Sequence, residues 1–381
     1  MLSFGRENTG LVAKWWRNID KEILFLFIFL FLLGLFFSFS STSTIVAEKM
    51  NKETYFFFLK HLIFVLISLS LLIGISIQDK NKIIKFLLPL FVISILFLFL
   101  VPLIGVEVKG SKRWIDLIFL PRFQPIELVK PLFILFVAKI IVSSNIINVY
   151  SRYLFSFFIL SLIVILLINQ PDLGQAALLI ASWITMVFAS GFNMFILTIL
   201  GLMVLSILVL LVYFFPLKFG YVFLRIQTFI NPKKGDNFQS QKALDAIKQG
   251  GLTGQGMGEG ILKDIVPESH TDYIIAVISE EFGALFVLFI VIIFLFIVYK
   301  VLNKVFLEND EFLKLSLVGL TSLLIIQTFI HIGVNTRLLP ATGMTLPFLS
   351  YGGSSLIGSA IIAGVILNFT KKDSTGYFNN E

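Results

Sequence analysis

Cysteine is absent from this 381-residue sequence, and charged residues make up only 14% of it. The absence of cysteine excludes disulfide bonds and thiol chemistry. The scarcity of charge excludes an ordinary soluble domain, because hydrophobic residues make up 57% of the chain and 43 residues are phenylalanine. Long polar stretches are also rare, and only residues 219–270 form one between hydrophobic runs. The composition therefore indicates an integral membrane protein.

A helix that crosses the hydrocarbon core of a bilayer needs about 20 mainly apolar residues. The hydropathy pattern predicts ten such helices, at 22–42, 55–77, 83–105, 124–144, 152–169, 173–190, 193–216, 271–299, 311–333 and 346–369. We therefore expect an all-α integral membrane protein with a single transmembrane domain over residues 22–369. Short polar segments, 1–21 and 370–381, flank it, and one long loop, 217–270, joins the seventh and eighth helices.

The distribution of basic residues predicts the orientation in the membrane, since lysine and arginine in short loops mark the cytoplasmic side. An even number of spans places both termini on one side, together with Lys14, Arg17, Lys80, Arg152 and Lys300. Both termini are accordingly expected in the cytoplasm, and the 217–270 loop outside it. The net charge of +7 suits contact with anionic lipid or with a phosphate-bearing substrate.

Three cations, Lys109, Lys112 and Arg113, lie within five residues in an outer connection, a density that would suit a diphosphate. Trp114 follows them and fits an interfacial aromatic residue. Glu127 and Lys130 are three residues apart at the head of the fourth predicted helix, so they share a face of that helix. That pair has two interpretations, an ion pair at the level of the lipid headgroups or a part of a binding site.

The long loop contains a glycine-rich stretch, GGLTGQGMGEG, at 250–260. A nucleotide-binding loop would need to follow a strand and to open a helix, whereas here no strand precedes the stretch and no Gly-Lys-Ser/Thr occurs. Glycine instead permits the bare backbone to approach another group closely, which we expect to be a large substrate. Deeper in the eighth helix, Glu280 and Glu281 need partners at membrane depth, and Lys139, Gln327 and His331 are the candidates.

Asp272 lies at the predicted start of the eighth helix, where the helix dipole stabilises a carboxylate. A carboxylate that faces the outside can act as general base for a hydroxyl nucleophile, provided that it reaches hydrogen-bond distance. Nearby lysine and arginine side chains, or a divalent cation, could hold an anionic leaving group. Transfer between lipid-diphosphate substrates fits this pattern, as one option among several.

Four motifs follow one another along the chain: QPDLGQ at 170–175, PESHTDY at 267–273, EEFG at 280–283 and LPFLSYGGSS at 346–355. With these motifs the sequence resembles the SEDS family of peptidoglycan glycosyltransferases from the first predicted helix to the tenth. It is more similar to the cell-division branch, FtsW, than to the elongation branch, RodA, in KWWR at 14–17, GEG at 258–260 and GMTLP at 343–347. Thr342, where the FtsW branch has lysine, is closer to RodA.

The resemblance implies polymerisation of lipid II into glycan strands at the outer face of the cytoplasmic membrane, for septal cell-wall synthesis. The growing strand on undecaprenyl diphosphate would be the donor, the 4-hydroxyl of lipid II the acceptor, and Asp272 the general base. The candidate substrate-binding residues are Lys112, Arg113, Trp114, Gln124, Glu127, Lys130, Asp172, Arg225, His270, Ser350, Tyr351 and Ser354.

A class B penicillin-binding protein, which is a transpeptidase, is the partner that the resemblance implies, together with other membrane proteins of the division complex and membrane lipid. A divalent cation, Mg²⁺ or Mn²⁺, is expected at the diphosphate, and neither a nucleotide nor a nucleic acid is expected. Three alternatives stay open: an elongation polymerase of the RodA type, a lipid II flippase and a scaffold that recruits the transpeptidase. A flippase would need polar groups across to the inner face, where connections such as 190–193 are short.

Overall fold

The fold is given by a computed structural model, which describes residues 10–41, 55–108, 111–117, 120–144, 148–193, isolated positions between 195 and 214, 216–230 and 237–372. In order, its elements are α1 (Leu11–Asn18), α2 (Lys21–Ser41), α3 (Phe56–Ile77), α4 (Lys80–Ile104), β1 (Val106–Val108), β2 (Ser111–Leu117), β3 (Leu120–Phe123), α5 (Ile126–Val142), α6 (Val149–Asn169), α7 (Leu173–Ala189), α8 (Pro216–Ile230), α9 (Phe238–Gly250), α10 (Ile274–Leu307), α11 (Glu311–Asn335) and α12 (Gly353–Phe369).

The predicted all-α membrane class is confirmed. Among the described residues, α2, α3, α4, α6, α10 and α11 are each long and apolar enough to cross a membrane, and α7 and α12 are shorter apolar helices. α5 coincides with the predicted span 124–144. It carries Glu127, Lys130 and Lys139 within its 17 residues. The seventh predicted helix, 193–216, lies largely outside the described residues.

Two regions depart from the expected helices. The connection between α4 and α5 forms a three-stranded antiparallel sheet in the order β1-β2-β3. The predicted loop 217–270 contains α8 and α9, and a 3-10 turn over Leu262–Asp264. α9 and the turn are short and polar, and the 15 residues of α8 are too few to cross a membrane, so hydropathy alone leaves no signal for them.

The tenth helix begins at Gly353, seven residues later than predicted. The preceding residues, 346–352, form irregular backbone that is held by Phe348. The Phe348 ring is fully buried and lies 5.4 Å from Phe27 and 5.1 Å from Phe31, measured between ring centroids. Irregular backbone at membrane depth is tolerated where protein surrounds it, and this segment supplies Ser350 and Tyr351 to the site described below.

The glycine-rich stretch packs on a break in α10, and the expected approach to a substrate is wrong for Gly250 and Gly254. α10 opens at Gly283, whose backbone has φ 81° and ψ 172°. The freed backbone groups pair with the stretch, since Gly256 donates to Glu281 O at 3.0 Å and Ala284 donates to Gly251 O at 2.9 Å. A methyl group on Gly250 would lie 1.9 Å from Ser279 O, and one on Gly254 would lie 2.2 Å from Glu281 O. Glycine is therefore required here for helix contact.

The same contact supplies the partners of the two deep glutamates, and the expected partners Lys139, Gln327 and His331 are wrong, since Gln327 bonds to Lys130 and His331 to Met344 O. The Glu280 carboxylate accepts the backbone N–H groups of Leu262 at 2.7 Å and of Lys263 at 2.8 Å. The Glu281 carboxylate pairs with the Lys263 ammonium and accepts the Ser40 hydroxyl. These contacts attach the segment 250–263 to α2 and α10, and so they hold the N-terminal part of α10 in place.

We expect Gly283→Ala to lower the melting temperature of the purified protein. The backbone conformation of Gly283 is one that glycine alone adopts readily, so alanine costs about 1–3 kcal/mol from the backbone. A methyl group would also lie 2.2 Å from Leu252 O, and that carbonyl belongs to backbone rather than to a flexible side chain. Gly74→Ala is the matched control, because a methyl group there meets nothing within 4 Å. Equal melting temperatures for the two variants would contradict this account of the break.

Candidate active site

The backbone around Asp272 is held by three hydrogen bonds to three successive carbonyl groups. The Tyr351 N–H donates to His270 O at 2.9 Å, and the Ser350 hydroxyl donates to Thr271 O at 2.6 Å. The Asn335 side-chain amide donates to Asp272 O at 3.0 Å. The donors come from the segment before α12 and from the end of α11. We call these three contacts the carbonyl clamp, and they fix the position from which the Asp272 carboxylate extends.

Asn335 is the most constrained member of the clamp. It is fully buried, and its amide nitrogen also donates to His331 O at 2.8 Å, while its oxygen accepts the Ala276 N–H at 3.2 Å. It therefore joins the last turn of α11 to the first turn of α10. α10 begins at Ile274, two residues later than Asp272, so the clamp, and not the helix itself, positions the carboxylate.

A second group of polar side chains surrounds Asp172, which precedes α7. The Gln124 amide donates to Asp172 Oδ2 at 2.9 Å, and Arg113 Nε lies 3.8 Å from the same oxygen. Arg113 also donates to the backbone oxygens of Gln170 and Pro171. Burial raises the pKa of the Asp172 carboxyl, and the Arg113 guanidinium opposes that rise. Three predicted site residues are thus in direct contact.

A third group is buried inside the helices. Lys130 Nζ lies 2.9 Å from Glu127 Oε2 and donates to Gln327 Oε1 at 3.1 Å. The Gln175 amide donates to the other oxygen of Glu127 at 3.1 Å. Glu127 and Lys130 are 3% and 1% exposed, so the protein shields this ion pair from its surroundings. The pair is an internal element of the fold, and Gln175 in the first turn of α7 connects it to the region of Asp172.

Residues 342–346 connect these groups to Asp272. A methyl group on Gly343 would lie 3.6 Å from both Arg113 Nη1 and Asp272 Oδ2, so both side chains border the space next to Gly343. The neighbouring backbone is held from α11, since Gln327 donates to Thr345 O at 2.9 Å and His331 Nδ1 lies 2.8 Å from Met344 O. The Asp272 carboxylate and the Arg113 guanidinium are therefore both placed around Gly343.

Arg225 and Tyr273 extend the site toward α8. Burial, and next the Arg113 cation, lower the pKa of the Arg225 guanidinium, and Asp172 and Tyr273 oppose that shift. Burial, and next the Asp272 carboxylate, raise the pKa of the Tyr273 phenol to about 12, so this phenol is neutral at pH 7. Tyr273 is thus within electrostatic range of both Asp272 and Arg225.

The remaining predicted residues lie at the edge of this arrangement. Lys112 is exposed, and Trp114 is half-buried; both neighbour Arg113 on β2, where successive side chains point to opposite faces. The His270 and Tyr351 rings pack together at 5.6 Å, measured between their centroids. Ser354 is half-buried in the first turn of α12. Three further residues contact the site: Asn335, Gln175 and Gln327. They are absent from the candidate substrate-binding residues because their partners are far away in sequence.

We expect Asn335→Ala to reduce the turnover rate about 10- to 100-fold while leaving the apparent substrate affinity nearly unchanged. The change releases the Asp272 carbonyl and the Ala276 N–H, and a small displacement of a reacting group has an effect of this size. Asn335→Asp should reduce the turnover rate further, because it places a carboxylate next to the carbonyl oxygen of Asp272. The control is Thr336→Ala, whose hydroxyl bonds only to carbonyls of its own helix. A variant effect confined to substrate affinity would contradict the positioning role.

Comparison with known proteins agrees with this fold. A family model described as a cell cycle protein, for FtsW, RodA and SpoVE, matches residues 21–375. A probable peptidoglycan glycosyltransferase FtsW of Caulobacter vibrioides is 32% identical over 379 residues, which cover 98% of this chain and 95% of that protein. Its counterpart in Trichlorobacter lovleyi is 34% identical over 337 residues, which cover 86% of each chain.

Two solved structures share the fold. A chain from a peptidoglycan synthase complex that coordinates polymerization and crosslinking gives a TM-score of 0.73 at 24% identity, and it covers 92% of this chain and 97% of that one. The rod shape determining protein RodA of Thermus thermophilus gives a TM-score of 0.68 at 24% identity, and it covers 93% of this chain and 97% of that one. Taken with the family match over residues 21–375, these findings establish that the chain is a multi-pass membrane protein and belongs to the FtsW/RodA/SpoVE family of cell cycle proteins.

Proposed function

We propose that this protein is a peptidoglycan glycosyltransferase that polymerises lipid II into glycan strands during septal cell-wall synthesis. The observation that carries the proposal is the carbonyl clamp, which fixes the backbone of Asp272, while the Asp272 and Arg113 side chains both border Gly343. A fixed carboxylate beside cations supplies both a base and a site for a departing anion. The naming of the Caulobacter and Trichlorobacter relatives supports the same activity.

In the proposed reaction, the Asp272 carboxylate accepts the proton of the acceptor 4-hydroxyl as the hydroxyl oxygen attacks the anomeric carbon of the donor. The bond from that carbon to the diphosphate oxygen breaks, and the electron pair leaves with undecaprenyl diphosphate. Arg113 and Arg225 would stabilise the negative charge on this leaving group. Glu127, Lys130 and Asp172 set the positions of these groups through the contacts described above.

A divalent cation, Mg²⁺ or Mn²⁺, at the diphosphate is part of this proposal. No group of three or more His, Cys, Asp or Glu side chains placed to hold a metal ion is found within the described ranges. The ion would therefore take most of its ligands from the diphosphate and water, as Mg²⁺ commonly does. Asp272 is the protein carboxylate nearest to the proposed reaction and could supply one ligand.

We also propose that both termini face the cytoplasm and that the site opens to the outside. The Lys372 N–H donates to Asn18 O at 3.0 Å, so the two ends of the described chain meet on one side of the helices. A class B penicillin-binding protein is the proposed partner. The solved complex in which polymerization and crosslinking are coordinated supports this choice.

The test is glycan-strand formation from purified lipid II by the protein in liposomes, with and without the cognate transpeptidase. We expect strands when the transpeptidase is present, and a reduced rate when a chelator removes divalent cations. Transfer of lipid II across the bilayer without strand formation would instead identify a flippase. Neither activity, with the transpeptidase still bound, would identify a scaffold.

A further inference from the structure

A cavity of about 340 Å³ lies next to Tyr273, between α8, the start of α9 and the turn that follows α11. Its size falls within the range of small-molecule sites. Arg225 and Thr228 line it from α8, and Arg337 lines it from the turn. Because Tyr273 follows Asp272 directly in the chain, the cavity is adjacent to the proposed catalytic carboxylate.

The charge of this cavity is unbalanced. Two arginines are among the described residues that line it, and none of those residues is an aspartate or a glutamate. The other polar lining residues are uncharged hydrogen-bonding groups, among them Asn237, Gln239 and Ser240. A cavity with two guanidinium groups and several amides and hydroxyls is suited to an anion that also carries hydrogen-bonding groups.

The charge of Arg225 is only partly compensated, and within the described part of the chain no hydrogen bond or ion pair holds its guanidinium. Burial and the Arg113 cation disfavour its charge, and the Asp172 carboxylate opposes them only in part. An anion in the cavity would relieve this electrostatic cost, since an unpaired charge away from water is unfavourable.

Arg337 occupies a backbone position that usually belongs to glycine. α11 ends in a Schellman motif, in which the Leu338 N–H bonds to Gly333 O at 2.7 Å and the Arg337 N–H bonds to Val334 O at 3.1 Å. Arg337 is the left-handed residue of this motif, with φ 57°, where glycine avoids a cost of about 1–2 kcal/mol. Its guanidinium donates to Gln241 of α9 and lines the cavity. A cationic side chain at a position that favours glycine points to a use for that side chain.

We propose that this cavity is an anion subsite, in which Arg225 and Arg337 bind an acidic group of the lipid-linked substrate. The inference rests on the proposed function, and it assigns to the cavity a phosphate or a carboxylate. Two parts of such a substrate could supply this chemistry, its diphosphate and an acidic peptide attached to its sugar. In either case the bound anion orients the substrate beside Asp272.

The test measures binding of two soluble probes, inorganic pyrophosphate and a short acidic peptide, to the purified full-length protein in detergent. The informative variant is Arg337→Gly, because glycine suits the left-handed backbone and the fold is retained. Arg225→Gln is the second variant. Lys248→Gln is the matched control, since it removes an exposed cation of α9 that does not line the cavity.

We expect at least one probe to bind the wild type and to bind Arg337→Gly and Arg225→Gln about tenfold more weakly or worse, the range for charged hydrogen bonds. Lys248→Gln should bind like the wild type. Pyrophosphate binding would identify the diphosphate, and peptide binding would identify a carboxylate. Equal binding to wild type and both arginine variants, or no binding of either probe to the wild type, would overturn the inference.

Strand formation distinguishes this inference from the proposed function. If the subsite is used, Arg337→Gly should raise the KM for lipid II with little change in kcat. Wild-type strand formation with unchanged KM in Arg337→Gly, and no probe binding, would refute the subsite alone. Probe binding that depends on the two arginines, without any strand formation by the wild type, would refute the glycosyltransferase and leave an anion site.

Discussion

Asp272→Asn is expected to lower the rate of glycan-strand formation about 100- to 10,000-fold, the usual contribution of a general base. Asparagine keeps the size of the side chain but cannot accept the proton of the acceptor hydroxyl. The carbonyl clamp contacts the backbone of residues 270–272, so it should survive the change. Folding should therefore be retained, and the measurement is the initial rate with purified lipid II and the transpeptidase at equal amounts of folded protein.

The matched control for this experiment is Asp116→Asn. Asp116 is an exposed carboxylate on β2 that pairs with Arg122 at 2.9 Å, and its side chain is 45% exposed. An exposed pair of this kind contributes about 1 kcal/mol or less, so strand formation should not change. If Asp272→Asn kept a rate within a few-fold of the wild type, Asp272 would not be the base, although the glycosyltransferase activity itself would stand.

Lys130→Met is expected to destabilise the protein by about 3–5 kcal/mol, the usual cost of leaving one member of a buried ion pair without its partner. The Glu127 carboxylate would keep only the Gln175 amide, 3.1 Å from its Oε1 atom. Methionine has a similar length, so the loss comes from charge and hydrogen bonds rather than from a cavity. The melting temperature of the purified protein in detergent measures the effect.

The double variant Glu127→Gln with Lys130→Met separates stability from activity. Removing both charges of a buried pair is often close to neutral for stability, so most of the melting temperature should return. Strand formation should stay low if Lys130 and Glu127 also contribute to the site. Lys314→Met is the control, because Lys314 and Glu311 form the same i, i+3 pair at 2.9 Å with Glu311 exposed and Lys314 partly exposed. A full return of activity in the double variant would restrict the pair to a structural role.

The contacts that bring the residues of the site together are a property of the tertiary structure. Arg113 and Gln124 come from the sheet region, whereas Asp172 precedes α7, and the segment at Gly343 follows α11. No periodicity in the sequence reports these contacts, because each joins residues that lie 48 or more positions apart. The motifs indicated which residues matter, and the fold shows which of them touch.

Glycine shows the limits of sequence interpretation most clearly. The stretch at 250–260 was expected to approach a substrate, on the ground that glycine exposes backbone. The physical reason was correct, but the group that approaches is α10, where Gly283 opens the helix and frees backbone groups for pairing. Arg337 is the converse case, since its left-handed backbone is invisible in the sequence and becomes evident only from the Schellman hydrogen bonds.

The sequence by itself determined the membrane class and the positions of most helices. Hydropathy acts over about 20 consecutive residues, so 55–77 was predicted and Phe56–Ile77 is observed. The sequence motifs also indicated the family. Only the tertiary structure decided the carbonyl clamp, the partners of Glu280 and Glu281, and the cavity beside Tyr273. Hydrogen bonds and ion pairs depend on atoms brought within about 3 Å from distant parts of the chain, and local sequence does not encode that proximity.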